Sequence, residues 1–296
     1  MTAPAYSPLA QLGIHTASPV TKRFDFKSEN MKAKGVLTYG GGIRGTLARD
    51  ISRVRIGPTV IAGQYTMQPN AVEWDLLLRW ILGGTPSGSG TVTYPLGDTV
   101  TSRFVYEDRV AQVFEYTTVR VNKATVSASE GQMLKLVLDV VACTEVVGSA
   151  GSFPSLTIDV ANGPFVFEDC VLTIDGTTYQ TKNITLTIDN KLDTRRFFNS
   201  LTLNAAYQAT DRIITVSLQP PYGLATALYA GWGTPVAVVM TFTNGNAVLV
   251  FTLANVVWPQ ESPVVQGTGE LMLPITGTAY CSGATLELVT TLNPGP

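Results

Sequence analysis

The stretch Asn183-Ile184-Thr185-Leu186-Thr187-Ile188-Asp189-Asn190-Lys191-Leu192-Asp193-Thr194-Arg195 alternates polar and apolar residues over its first six positions, then becomes polar. A period of two puts Ile184, Leu186 and Ile188 on one face and Asn183, Thr185 and Thr187 on the other, the pattern of a strand with one side in a core. The same alternation recurs on either side of it. Before it come 105–113, 116–126 and 133–142, with Glu130-Gly131 turning between the last two; after it come 201–206, 212–218, 237–243, 247–257 and 269–279. Asn244-Gly245 marks a tight hairpin. One helix is expected, over 71–82, because Asn70 can cap it, Glu73 stands at the capping-box position, Val72, Leu76 and Trp80 share a face, and Gly83-Gly84 ends it. A shorter counterpart is expected over 224–232. The fold class is therefore all-β with minor α.

Signals also recur in order along the chain. Val36-Leu37-Thr38 returns as Val171-Leu172-Thr173, and Gln68-Pro69, followed by Trp80 and Gly83, returns as Gln219-Pro220, followed by Trp232 and Gly233. Gly131, Leu134 and Ala142 are matched by Gly267, Leu271 and Ala279. A unit of roughly 140 residues has the size of a domain, not of a solenoid repeat. The expected organisation is an N-terminal arm over 1–24, a first domain over 25–147, and a second over 148–296 that ends in an extended tail. Two similar domains on one chain halve the chains needed for a symmetric ring. The halves differ most at 83–103, where Gly84, Ser87, Gly88, Ser89 and Gly90 suggest a flexible loop and the second half has only Thr234-Pro235.

Charged residues make up 14% of the chain, against about 25% in ordinary soluble proteins. Surfaces covered by other copies are depleted in charge, so the deficit points to assembly. Residues 1–148 carry 15 Lys+Arg against 12 Asp+Glu, and 149–296 carry 5 against 10, so the halves have opposite signs. Arg44, Arg49, Arg53 and Arg55 form the densest basic stretch, joined by Arg195, Arg196 and Arg212; at pI ≈ 5.5 they are read as interface or loop charges pairing with Asp50, Asp189 and Asp193, not as a nucleic-acid site. His15 is the only histidine and is expected in a mobile arm, which argues against a Ser-His-Asp or Cys-His enzyme. Cys143, Cys170 and Cys281 have no metal spacing and are expected to be reduced and mostly buried. Asp189 and Asp193 read as turn formers, and Gly40 to Gly45 fits GxGxxG without the helix that dinucleotide binding needs. No cofactor, metal or catalytic residue is assigned. The first twenty residues lack the apolar run of a signal peptide, and no stretch of eighteen apolar residues occurs, so synthesis in the cytoplasm without membrane insertion is expected.

The 183–195 stretch, followed by the 212–218 strand, resembles the Thr-Ile-Asp-Asn, Leu-Asp, Arg signature of tail tube proteins from long, non-contractile tailed phages. The motif residues are Asp189, Asn190, Asp193 and Arg195, while Arg49-Asp50-Ile51 keeps only a trace in the first half. The resemblance implies two tandem β-sandwich tube domains, each with one flanking helix, that contribute strands to a continuous inner β-barrel on oligomerisation. Single-domain relatives form hexameric rings, so a fused pair implies a homotrimeric, pseudo-hexameric ring, with a hexamer as the alternative. Rings would stack helically into the tube of the virion, through which DNA passes without specific binding during ejection. The implied partners are further copies and the tape-measure, tail-terminator and tail-tip proteins. A wall rich in Lys or Arg would retain phosphates, so acidic residues on alternating strands, Glu107, Glu115, Asp139 and Glu270, are the candidates to face the lumen. Gly83, Gly88, Gly90 and Asp98 are the candidates for a loop between rings. The competing reading is another β-rich virion or surface protein, such as a decoration protein, fibre or adhesin.

Overall fold

The computed structural model of the chain describes residues 9–15, 22–41, 48–149, 152–154, 156, 163–194, 200–203, 207–208, 211–265 and 268–295. The first half runs β1 (Gln11–His15), β2 (Lys22–Phe24), β3 (Phe26–Glu29), β4 (Lys32–Tyr39), β5 (Val54–Met67), α1 (Glu73–Leu82), β6 (Val92–Pro95), β7 (Arg103–Asp108), β8 (Gln112–Ser129), β9 (Lys135–Ala142) and β10 (Thr144–Ser149). The second half runs β11 (Cys170–Ile174), β12 (Thr177–Tyr179), β13 (Asn183–Asp189), β14 (Leu192–Asp193), β15 (Tyr207–Gln208), β16 (Ile213–Leu218), α2 (Thr226–Ala230), β17 (Val236–Asn244), β18 (Ala247–Val257), β19 (Ile275–Ala279) and β20 (Val289–Asn293).

In the first half the long strand β8 belongs to two arrays, β4–β5–β9–β8, with β3 leading into β4, and β2–β1–β7–β8–β10. It passes between them where Thr118 takes a left-handed φ of 52° and the register shifts between Val121 and Lys123. The second half pairs in the same order, β13–β16–β19–β18 and β12–β11–β17–β18–β20, with β6 of the first half added outside β20. The likeness extends to a bulge: Arg103 faces Val119 and Val105 faces Tyr116, just as Val236 faces Val256 and Val238 faces Leu253.

These registers correct the sequence alignment. Leu12 on β1 lies between Phe24 and Glu107 as Leu172 on β11 lies between Tyr179 and Met240, so β11 corresponds to β1. Val36-Leu37-Thr38 lies on β4 and is not the counterpart of Val171-Leu172-Thr173; the triplets match because strands favour such residues. The stretch expected as a free arm holds a core strand, with Leu12 and Ile14 fully buried. His15 is buried with them and stacks on Phe104 and Tyr106, and burial lowers its pKa.

Asn70 starts the helix as expected. Its Oδ1 accepts from the backbone N–H groups of Val72 and Glu73, while Glu73 Oε2 accepts from Asn70 N at 2.8 Å. The buried stripe, however, is Trp74, Leu77, Leu78 and Ile81 with Trp80, and Leu76 is only half-buried. Trp80 donates to Val119 O at 3.0 Å, tying α1 to β8, and α1 also lies against β6 and β20. The core is therefore continuous across the halves. The 83–103 segment is not a loose loop: Val92–Pro95 pairs with β20, Tyr94 is buried, and Gly83 ends α1 at φ 76° so close to Thr99 O that a Cβ would stand 2.2 Å away. The strand expected over 269–279 is confined to Ile275–Ala279, and residues 201–203 form no strand.

Candidate functional site

Strand β8 joins the halves by pairing with β13, from Ser129 opposite Asn183 to Lys123 opposite Asp189. One sheet thus runs β4–β5–β9–β8–β13–β16–β19–β18. Alternation decides its two faces. Ile184, Leu186 and Ile188 on β13, with Leu136, Leu138 and Val140 on β9, enter the core, while Thr125, Ser127, Thr185, Thr187, Thr215 and Ser217 point away from it. This polar face is mostly hydroxyl-bearing. At the seam its charges sit side by side: Gln64 Nε2 donates to Asp139 at 2.7 Å, Lys123 lies opposite both Asp139 and Asp189, and Lys191 Nζ approaches Asp189 at 2.8 Å; farther from the seam the same face carries Lys135 opposite Ser127, and Lys32 and Lys34 opposite Ala62 and Val60. Two carboxylates and two ammonium groups make this row neutral, and Lys123 stands between acids.

Of the residues expected at a lumen, only Asp139 lies on this polar face. Glu107 is 2% exposed, accepts from Tyr65 at 2.5 Å and pairs with Arg109 at 2.6 Å, so it cannot line a channel. Burial outweighs those partners and lifts its pKa to about 7. Glu115 stands opposite Tyr106 and Val146 in the other array, and Glu270 pairs with Lys182 at 2.9 Å outside any strand. Of the loop candidates, Gly88 and Gly90 form an exposed turn, Gly83 is packed at the helix end, and Asp98 lines a groove near Arg212.

The motif residues divide by role. Asp189 accepts from Lys191 N, forming the expected turn with Lys191 at φ 50°. Asn190 is fully buried; its Nδ2 donates to Val121 O at 2.9 Å and Ile81 O at 3.3 Å, and its Oδ1 accepts from Arg212 Nε at 2.6 Å. It ties β8, α1 and the entry to β16 together. Arg212 also donates to Gly97 O at 3.0 Å, and burial lowers its pKa. Asp193 lies on β14 opposite Tyr207, and Arg195 falls outside the described residues. Asp50 accepts from Ser52 and Arg49 lies 5.6 Å over the Tyr39 ring, while Arg44 is also outside the described residues.

At one end of the eight-strand order, β4 and the start of β5 stand clear of the body. Leu37 faces Ile56 across this hairpin, both are exposed, and Ile51 near its tip is 83% exposed. Cys143 is buried, Cys170 half-buried and Cys281 exposed, so the expectation of buried thiols fails at Cys281. Among the described residues no three His, Cys, Asp or Glu side chains gather as metal ligands, and no helix is long and apolar enough to cross a membrane. Sequence reasoning missed Leu192 and Leu203, which pack on Val141 and Cys143; the signal available was leucine in an otherwise polar loop.

Comparison with curated proteins gives no match. The family described as phage tail tube protein matches residues 7–279, nearly the whole of this β-rich chain, which therefore belongs to that structural family of the virion tail.

Proposed function

We propose that the chain closes into rings that stack as the tail tube, and that DNA leaves the capsid through the channel they enclose. In this reading each half is one tube domain, three chains make a pseudo-hexameric ring, and the eight-strand sheet supplies one third of a closed inner barrel. The observation that carries it is the β8–β13 seam: two halves of the same strand order lie edge to edge, as successive tube domains around a ring would. A ring of six separate chains is disfavoured because this join is already made within one chain. The hydroxyl-rich stretch of this face at the seam suits a lumen, since DNA loses counterions to exposed cations and Lys123 there is already flanked by carboxylates. The tape-measure, tail-terminator and tail-tip proteins would meet the tube inside and at its ends, with no enzymatic role for this chain.

Negative-stain imaging of the purified chain tests this. Hollow tubes or rings with threefold symmetry are expected; discrete oligomers without a central channel would favour a decoration protein, fibre or adhesin.

A further inference from the structure

The hairpin at the outer end of the eight-strand order and the one that begins at the seam correspond in their strand pairing. Glu29, Lys34 and Leu37 face Tyr65, Val60 and Ile56; Ile184, Asp189 and Leu192 face Leu218, Ile213 and Gln208, with the same spacing except for one extra residue on the returning strand of the second hairpin. Leu37 is thus the counterpart of Leu192, and Ile51, five residues before Ile56, that of Leu203, five before Gln208. Their surroundings differ. Leu192 and Leu203 pack against Val141 and Cys143 at the end of β9, and Thr59 N donates to Leu201 O at 2.7 Å, so the second hairpin reaches across the seam onto the first half. Leu37 and Ile51 of the first hairpin are exposed.

The landing site is duplicated as well. Val141 pairs with Arg120 as Thr278 pairs with Val257, and Cys143 N donates to Thr117 O as Tyr280 N donates to Asn255 O. Tyr280 therefore stands where Cys143 does. Cys143 is 5% exposed beneath Leu203, whereas Tyr280 is 54% exposed beside an open groove of about 1200 Å³ lined in part by Asp98, Asp211, Cys281 and Glu287. Net charge agrees with this match, because the groove sets three carboxylates against Arg212, and the first hairpin carries Arg49, Arg53 and Arg55 against Asp50.

We propose that the paired ends of β4 and β5 of one copy, carrying Leu37, Ile51 and Ile56, seat in the Tyr280 groove of the next copy, with Ile51 placed over Tyr280 as Leu203 lies over Cys143. This rests on the ring reading and names the surface that closes it. The hairpin lies at one end of the eight-strand order and the groove at the other, so repeated docking proceeds head to tail, as closure requires.

The test uses Ile51→Cys in the full chain and the native Cys281. Assembled protein, verified by negative stain, is treated with a short bis-maleimide and run on a denaturing gel. Covalent dimers and trimers are expected, and they should disappear in Ile51→Cys/Cys281→Ser. Independently, Ile51→Asp should raise the concentration needed for assembly about ten-fold or more, the effect of losing one buried isoleucine, without changing the melting temperature of the unassembled chain. Normal rings without the cross-link, together with unaltered assembly of Ile51→Asp, would overturn this docking while leaving the tube reading intact. A wild-type chain that forms no rings would remove both.

Discussion

Replacing Asn190 by alanine should destabilise the unassembled chain by about 3–5 kcal/mol. The side chain makes three hydrogen bonds in a fully buried position: two donated to Val121 O and Ile81 O and one accepted from Arg212 Nε. Truncation leaves two carbonyls and a guanidinium N–H without this partner, and each such group costs about 1–3 kcal/mol, the charged donor lying toward the top and the long Ile81 contact toward the bottom. The total is a large share of the ~5–15 kcal/mol that holds a typical domain folded. Denaturant unfolding should show a lower midpoint with an unchanged slope, measured at concentrations too low for assembly so that mass action does not mask the loss. Arg212→Met in the same background should cost less than its effect in the wild type, because the two side chains share one bond. A loss for Asn190→Ala below about 1 kcal/mol would refute the hub argument.

Glu107 predicts a pH dependence. Its folded pKa of about 7 lies above the ordinary 4.5, so folding favours the protonated form; this contribution is complete below about pH 4.5 and is lost as pH rises through 7, a decline of about 3 kcal/mol. Unfolding midpoints followed across that window should fall, and Glu107→Gln should flatten the slope; parallel profiles would contradict the burial argument. Gly63→Ala should lower stability by about 2 kcal/mol or more in a thermal melt, because a Cβ would stand 2.3 Å from Met31 Cα and backbone would have to move. Deleting 85–98 should abolish stable folding, since it removes buried Tyr94 and the Gly97 N–H bond to Leu82 O at 2.8 Å, whereas Gly90→Asn, at an exposed left-handed position with open space around a Cβ, should leave circular dichroism and melting nearly unchanged.

Much of the fold was legible because alternation is a local signal. The strand 247–257 appears over the same residues, and the Asn70 and Glu73 cap forms as the sequence implies. What failed depended on distant partners. Gln11–His15 is too short, and too close to prolines, to announce a core strand, and it becomes one through its pairing with β2 and β7. The alternation in 201–206 looked like a strand, yet Leu203 is drawn away to Cys143. Glu107 shares parity with buried Val105, so its inward direction was readable; its charge suggested a wall, but Arg109 and Tyr65 make burial tolerable. Thr91 to Tyr94 alternate inside the glycine-rich passage, a short strand obscured by composition. Asn190 and Arg212 are 22 residues apart in sequence and no spacing rule joins them.

In the proposed trimeric ring, the β8–β13 seam has a consequence for how the ring would come apart. Because both strands belong to one covalent chain, dilution cannot separate them, and their pairing survives at any concentration at which the chain itself stays folded. Only alternate seams obey mass action. Progressive dilution should therefore release whole chains with the internal seam intact, never isolated halves, and the concentration of such rings should vary as the third power of free chain concentration, not the sixth.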